Sequence, residues 1–233
     1  MECFIARYSD KGGRDNNEDY VGITDDTYVV CDGLGGHSDG ETASRMAVEY
    51  LLKAAVEIQK INDDEMHNMI YKVNSLICEN RIGNMATTVV AGFVRGDVFN
   101  YFNVGDSRLY YFRNNRIIVQ SKDHSVTQAC VDMGEIKADK MRFHPDRNKL
   151  TKALGLKEEI KVNQKFQPFK VEIGDSFLLC TDGFWEYVYE KEMQKYLKKA
   201  STPQEWLDAM LKKALTRTER NHDNISAVCV MIK

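Results

Sequence analysis

Apolar residues along this chain fall into two rhythms. Short runs rich in Val, Ile, Phe and Tyr recur at residues 4–8, 28–31, 88–94, 98–104, 108–112, 116–120, 176–180 and 225–232, and their length and composition predict β-strands. Other segments repeat at helical spacing. Ala43, Met46, Ala47, Tyr50, Leu51 and Ala54 form one apolar stripe, and Met66, Met69, Ile70, Val73 and Ile77 form a second, so two amphipathic helices follow one another. A third helix is predicted over 125–133, ending at Gly134. A fourth spans 203–218, opening on Ser201-Thr202-Pro203 and carrying Trp206, Leu207, Met210, Leu211 and Leu215 on one face. The lysine-rich stretch 191–199 reads as a solvated face.

Between the strands the punctuation is tight. Arg95-Gly96-Asp97 and Asn114-Asn115 are hairpin signals, because Gly and Asn accept the positive φ such turns require, and short hairpins force antiparallel pairing. A mostly antiparallel sheet system with helices follows. No repeat and no Pro/Ser/Gly-rich linker interrupts the chain, which favours one domain over residues 1–233.

Composition narrows the class without naming a chemistry. With 233 residues, 43% hydrophobic and 29% charged, the chain is long enough to bury a sizeable core and too balanced to be disordered. Lys plus Arg number 32 against 35 Asp plus Glu, a net charge of −3, so no basic excess draws it to nucleic acid or an anionic membrane. Six cysteines stand without a CxxC pair, several within apolar runs, as free thiols do. No apolar run approaches the roughly 20 residues of a membrane span, and the start Met-Glu-Cys-Phe-Ile-Ala-Arg lacks a signal pattern, so a reducing cytoplasmic setting is expected.

The informative feature is where aspartates fall. Residues 28–31 run into Asp32-Gly33, 101–105 into Asp106, and 177–181 into Asp182-Gly183, while Asp223-Asn224 leads into 225–232. One Asp-Gly is ordinary turn chemistry. Four carboxylates at strand ends are costly together unless hydrated, hydrogen-bonded or bound to cations, and an oxygen-rich cluster suits Mg²⁺ or Mn²⁺. Two such ions a few ångströms apart are a usual apparatus for hydrolysing phosphate esters. Arg14, within Gly12-Gly13-Arg14-Asp15-Asn16-Asn17-Glu18-Asp19, offers a guanidinium fork for the phosphate, and Glu18 and Asp19 add two acids nearby.

The motifs, in order, are Arg14-Asp15-Asn16-Asn17-Glu18-Asp19, Asp32-Gly33-Leu34-Gly35-Gly36-His37, Thr87-Thr88, Gly105-Asp106-Ser107-Arg108, Asp123-His124-Ser125, Leu150-Thr151-Lys152-Ala153-Leu154-Gly155, Thr181-Asp182-Gly183 and Asp223-Asn224. This series resembles the PP2C-type metal-dependent serine/threonine protein phosphatases, especially the short bacterial ones, from about residue 6 to the end of the chain. The resemblance implies an α+β fold, a four-layer α/β/β/α sandwich of two antiparallel sheets flanked by helices. It also implies a centre of two Mn²⁺ or Mg²⁺ ions with a weaker third, and in-line attack on phosphorus by a metal-bridging hydroxide.

By motif, Asp32 corresponds to the carboxylate bridging both metals, Gly33 to a carbonyl ligand, and Asp182 and Asp223 to ligands of one ion. Glu18 and Asp19 correspond to acids holding metal-bound waters, Asp106 to a third-site ligand shared with Asp182, and Arg14 to the phosphate clamp. Where animal members carry His after Asp-Gly this chain has Leu34, which leaves the general acid open between metal-bound water and His37. Ala86 replaces the usual Gly before Thr87-Thr88. Residues 123–150 resemble the bacterial flap beside the active site. The implied partners are phosphorylated proteins and an opposing Ser/Thr kinase, and the enzyme is expected to be a monomer. The competing readings are a catalytically silent phosphoprotein-binding regulator on the same scaffold and a phosphatase for small phosphometabolites.

Overall fold

Strand alternation decides which layer each side chain enters, and here both faces of both sheets are covered. The computed structural model describes residues 1–35, 38–58, 60–81, 83–162 and 166–233. In chain order it contains β1 (Cys3–Asp10), β2 (Asp19–Ile23), β3 (Thr27–Leu34), α1 (Ser38–Glu57), α2 (Asp63–Glu79), β4 (Ala86–Thr87), β5 (Val89–Arg95), β6 (Val98–Val104), β7 (Arg108–Arg113) and β8 (Arg116–Gln120). There follow α3 (Val126–Asp132), a 3-10 turn (Ala138–Phe143), β9 (Phe169–Lys170), β10 (Ser176–Cys180), α4 (Asp182–Trp185), α5 (Glu190–Leu197), α6 (Pro203–Leu215) and β11 (Ile225–Ile232).

One sheet has the order β1-β11-β10-β7-β8, and the other β2-β3-β5-β6-β9 with β4 paired to β3. The pairs are antiparallel throughout. Between the sheets lies a layer of Tyr28, Val30, Phe99, Leu109, Phe177 and Val230. On β11 the alternate residues Ala227, Cys229 and Met231 point outward instead, against Trp206, Met210 and Ala214 of α6. On the far side, Val29, Cys31 and Ala91 pack against Ala47 and Leu51 of α1 and Ile70 and Val73 of α2. The expected four-layer α/β/β/α sandwich is therefore the fold, and covering both sheet faces explains why β11 reads as an unbroken apolar run.

The hairpins follow their turn residues. Asn114 and Asn115 both hold positive φ, at 51° and 60°, and join β7 to β8; Gly96, at 63°, joins β5 to β6. Gly134 ends the helical segment with φ of 78°, and Thr202 caps α6 by accepting the Glu205 N–H at 3.2 Å, with Pro203 in the first turn.

Several elements were not foreseen. β2 falls outside the apolar runs that predict strands, because its five residues include only three apolar ones. The four-residue α4 begins at Asp182 itself. The lysine-rich stretch contains α5, whose Met193 and Leu197 are buried, so it is not solely a solvated face; two apolar residues one turn apart are too faint a period to announce a helix.

Candidate metal centre

Backbone register brings the acids together. Pairing of β2 with β3 sets Asp19 opposite Asp32, and the Gly33 N–H donates to the Glu18 carbonyl at 3.1 Å. Gly33 lies within β3 and Gly183 within α4, so neither Asp-Gly is a turn. Their glycines serve close packing. A Cβ at Gly33 would collide with the Gly40 carbonyl of α1, and one at Gly183 with the Asn224 carbonyl. The result draws β3, α1, α4 and the entrance to β11 into one corner.

At that corner opens a cavity of about 420 Å³, lined by Arg14, Glu18, Asp32, Gly33, Asp106, Asp182 and Asp223. Of the eight expected site residues only Asp19 is absent from this lining. Asp19 is 4% exposed and sits behind the others, with Oδ2 accepting from the Thr181 hydroxyl at 3.0 Å. Thr181 in turn accepts from the Ser226 N–H at 3.1 Å, tying the starts of α4 and β11 together.

The electrostatics follow from crowding acids into a buried corner. Burial, then the mutual repulsion of neighbours, raises Asp32 and Asp106 well above the usual carboxylate range. The same causes push Asp182 up to about 6, although a hydrogen bond with Asp32 pulls it back, and burial pushes Asp19 up to about 8. Asp19 Oδ1 and Asp182 Oδ1 are buried without a hydrogen-bond partner. Among the described residues no three His, Cys, Asp or Glu side chains form a ready cage for one ion. That arrangement still fits Mg²⁺ or Mn²⁺, which keep much of their water and take only one or two carboxylates each, with oxygen donors throughout. The residues present therefore fit the implied ions.

Arg14 is held at the rim. Its Nε and Nη2 donate to the two oxygens of Asp223 at 3.1 and 3.0 Å. Asn224, which the sequence offered only as the neighbour of Asp223, proves to organise the Arg14 loop: its amide donates to the carbonyls of Lys11 and Asn16 at 2.9 and 3.0 Å and accepts the Glu18 N–H at 2.8 Å. The adjacent Asp-Asn pair was the available signal, and its second member carries three bonds.

Asp106 is fixed from behind. The Trp185 indole N–H donates to the Asp106 carbonyl at 2.9 Å, and the Arg108 guanidinium stacks on that indole at 3.4 Å. Arg108 also forms a fully buried fork with Asp123, at 2.8 and 2.7 Å. Asp123 opens the 123–150 segment, whose ends are stitched together: His124 N–H donates to the Gly105 carbonyl, and Thr151 N–H to the His124 carbonyl, both at 2.8 Å. Farther along, Arg142 pairs with Glu190 at 2.6 Å and Arg147 with Glu186 at 2.9 Å. Leu34 lines the cavity; His37 lies outside the described residues.

The family model described as Protein phosphatase 2C matches residues 12–221. The chain is 33% identical over 231 residues to the serine/threonine phosphatase stp of Listeria monocytogenes, covering 95% of this chain and 88% of that one. It superposes on the crystal structure of the Mycobacterium tuberculosis serine/threonine phosphatase PstP/Ppp with a TM-score of 0.88 and 27% identity over the full length of both. The PstP catalytic domain in complex with two manganese ions matches with a TM-score of 0.85 and 26% identity, covering 99% of this chain and 98% of that one.

Sandwich and acid-lined corner are those of a metal-dependent phosphatase. The chain belongs to the protein phosphatase 2C family.

Proposed function

We infer that the chain removes phosphate from phosphoserine and phosphothreonine in proteins, using Mn²⁺ or Mg²⁺. It is a metal-dependent serine/threonine protein phosphatase of the bacterial type. One observation carries the reading beyond resemblance: carboxylates from five chain segments line one cavity beside a half-exposed arginine, and one of them, Asp182, has a buried oxygen with no hydrogen-bond partner.

In this reading Asp32 and the Gly33 carbonyl, with Asp182 and Asp223, would hold two ions, Asp32 being common to both. Asp106 and Asp182 would supply a weaker third position, and Glu18 and Asp19 would hold coordinated water. Bound ions supply Lewis acidity toward the phosphoryl oxygens and an acidified water for in-line attack. Arg14 grips the non-reacting phosphoryl oxygens, offsetting the charge that would otherwise repel the anion. Residues 1–233 act as a single catalytic domain, with 123–150 as a flap beside the cavity, which Asn148 and Leu150 help to line.

Phosphorylated proteins are the substrate class, an opposing Ser/Thr kinase supplies them, and the enzyme works as a cytoplasmic monomer. Among the described residues no helix is long and apolar enough to cross a membrane. The test is hydrolysis of a phosphothreonine peptide with Mn²⁺ and after chelation; turnover that survives chelation, or none in either condition, overturns the reading.

A further inference from the structure

A second cleft begins where the catalytic one ends. Leu150 lines the acid-rich cavity, and the residues that follow it, Thr151 to Lys161, fold into a U around a separate space of about 210 Å³. This loop is built, not draped. Leu154 is fully buried and exchanges two backbone hydrogen bonds with Thr87, at 3.0 and 2.9 Å. Asn74 of α2, also fully buried, donates to the carbonyls of Lys157 and Glu158 at 2.9 and 3.0 Å and accepts the Gly155 N–H at 2.9 Å. Lys152 Nζ crosses the U to the Lys161 carbonyl at 2.9 Å. A cleft so fixed is preformed for a ligand, which lowers the ordering cost of binding.

Its chemistry is opposite to that of the catalytic cavity. Ala153, Ile160 and the half-exposed Leu156 give it an apolar lining, and Lys152, Lys157 and Lys161 outnumber the one lining acid, Glu159, which pairs with Lys161 at 3.4 Å. Lys152 also ties the cleft electrically to the site: its charge, after burial, helps hold His124 low, and the His124 ring accepts the N–H of Gly105, the residue before Asp106. Because Thr151 follows Leu150 directly in the chain, the cleft neighbours the acid-rich cavity, on the course that residues flanking a bound phosphoresidue would take. Net positive charge over an apolar lining suits a side chain such as Leu or Ile accompanied by Asp or Glu.

We propose that this Thr151–Lys161 cleft receives the segment flanking the phosphorylated residue of a protein substrate and selects apolar residues accompanied by carboxylates. The proposal rests on the phosphatase reading above. It is tested with Mn²⁺-loaded enzyme on phosphothreonine peptides of equal length carrying Leu-Glu-Asp or Leu-Lys-Arg, placed on either side of the phosphoresidue, with an aryl phosphate assayed in parallel.

The acidic peptide is expected to show a kcat/KM roughly tenfold higher on one side, falling as salt is raised, since exposed ion pairs are individually weak and are screened by salt. The double variant Lys157→Glu/Lys161→Glu, both positions exposed, is expected to invert the preference while its melting temperature stays near that of the parent. Equal rates on both peptides, or a preference that survives the reversal, overturns the proposal while aryl phosphate turnover leaves the phosphatase reading standing. Absence of aryl phosphate turnover removes both.

Discussion

Arg14 and Asp223, 209 residues apart, meet in a two-bond ion pair at the cavity mouth. Asp223 is a proposed metal ligand and Arg14 the proposed phosphate clamp, so one carboxylate serves both partners of the reaction. The guanidinium balances the charge of Asp223 through both of its oxygens. Replacing it should separate the two roles. Arg14→Ala is expected to lower kcat/KM for a phosphopeptide by about 10²–10³, the scale of losing one charge-stabilising donor. Its Mn²⁺ affinity by calorimetry should be no weaker than wild type, because Asp223 loses a competitor. Arg14→Lys should recover only part of the rate, since an ammonium cannot reproduce the fork.

Asn224 gives a second prediction. Its side chain makes three hydrogen bonds that pin the Arg14 loop and Glu18 to the start of β11. Asn224→Ala should cost about 1–3 kcal/mol in chemical denaturation, the range for unsatisfied buried partners, and should raise KM more than it lowers kcat. A variant with parental KM would show that the loop holds itself.

Arg108 and Asp123, both buried, form a closed fork beneath the flap root. Removing one partner leaves an uncompensated interior charge. Asp123→Asn and Arg108→Met should each destabilise by about 3–5 kcal/mol, with the double variant costing less than the sum. Additive losses in urea unfolding would mean that the two side chains are not energetically coupled.

His124 predicts a pH effect. Burial, then the nearby Lys152 charge, lowers its pKa to about 4, and its Nδ1 accepts the Gly105 N–H at 3.3 Å, which requires the neutral ring. A histidine with a depressed folded pKa stabilises the fold fully above its unfolded value near 6.5 and loses that contribution as pH falls toward 4. The loss is about 3 kcal/mol from the size of the shift. Melting temperature followed from pH 7 to 4 should fall less steeply in His124→Gln than in wild type.

Much of this fold could be read from the chain because its signals were local. The boundaries of β6, β8, β10 and β11 coincide with their apolar runs, and Asn114-Asn115 and Gly96 adopt the positive φ that their hairpins need. Seven of the eight anticipated site residues line one cavity. What escaped was non-local or too short. β2 is defined by its pairing with β3, and α4 has four residues. The roles of Asn224, Trp185 and Asn74 arise from hydrogen bonds to segments 79 to 213 residues away in sequence, a distance no periodicity records.

The central claim is that the carboxylates lining this cavity bind the ions on which turnover depends. Mn²⁺ calorimetry on wild type and Asp182→Asn, each followed by phosphothreonine peptide hydrolysis in the same cell contents, tests it most directly. The account predicts at least two ions per wild-type chain, fewer or markedly weaker ones in the variant, and a matching loss of hydrolysis. Wild-type stoichiometry and full activity in Asp182→Asn would contradict it.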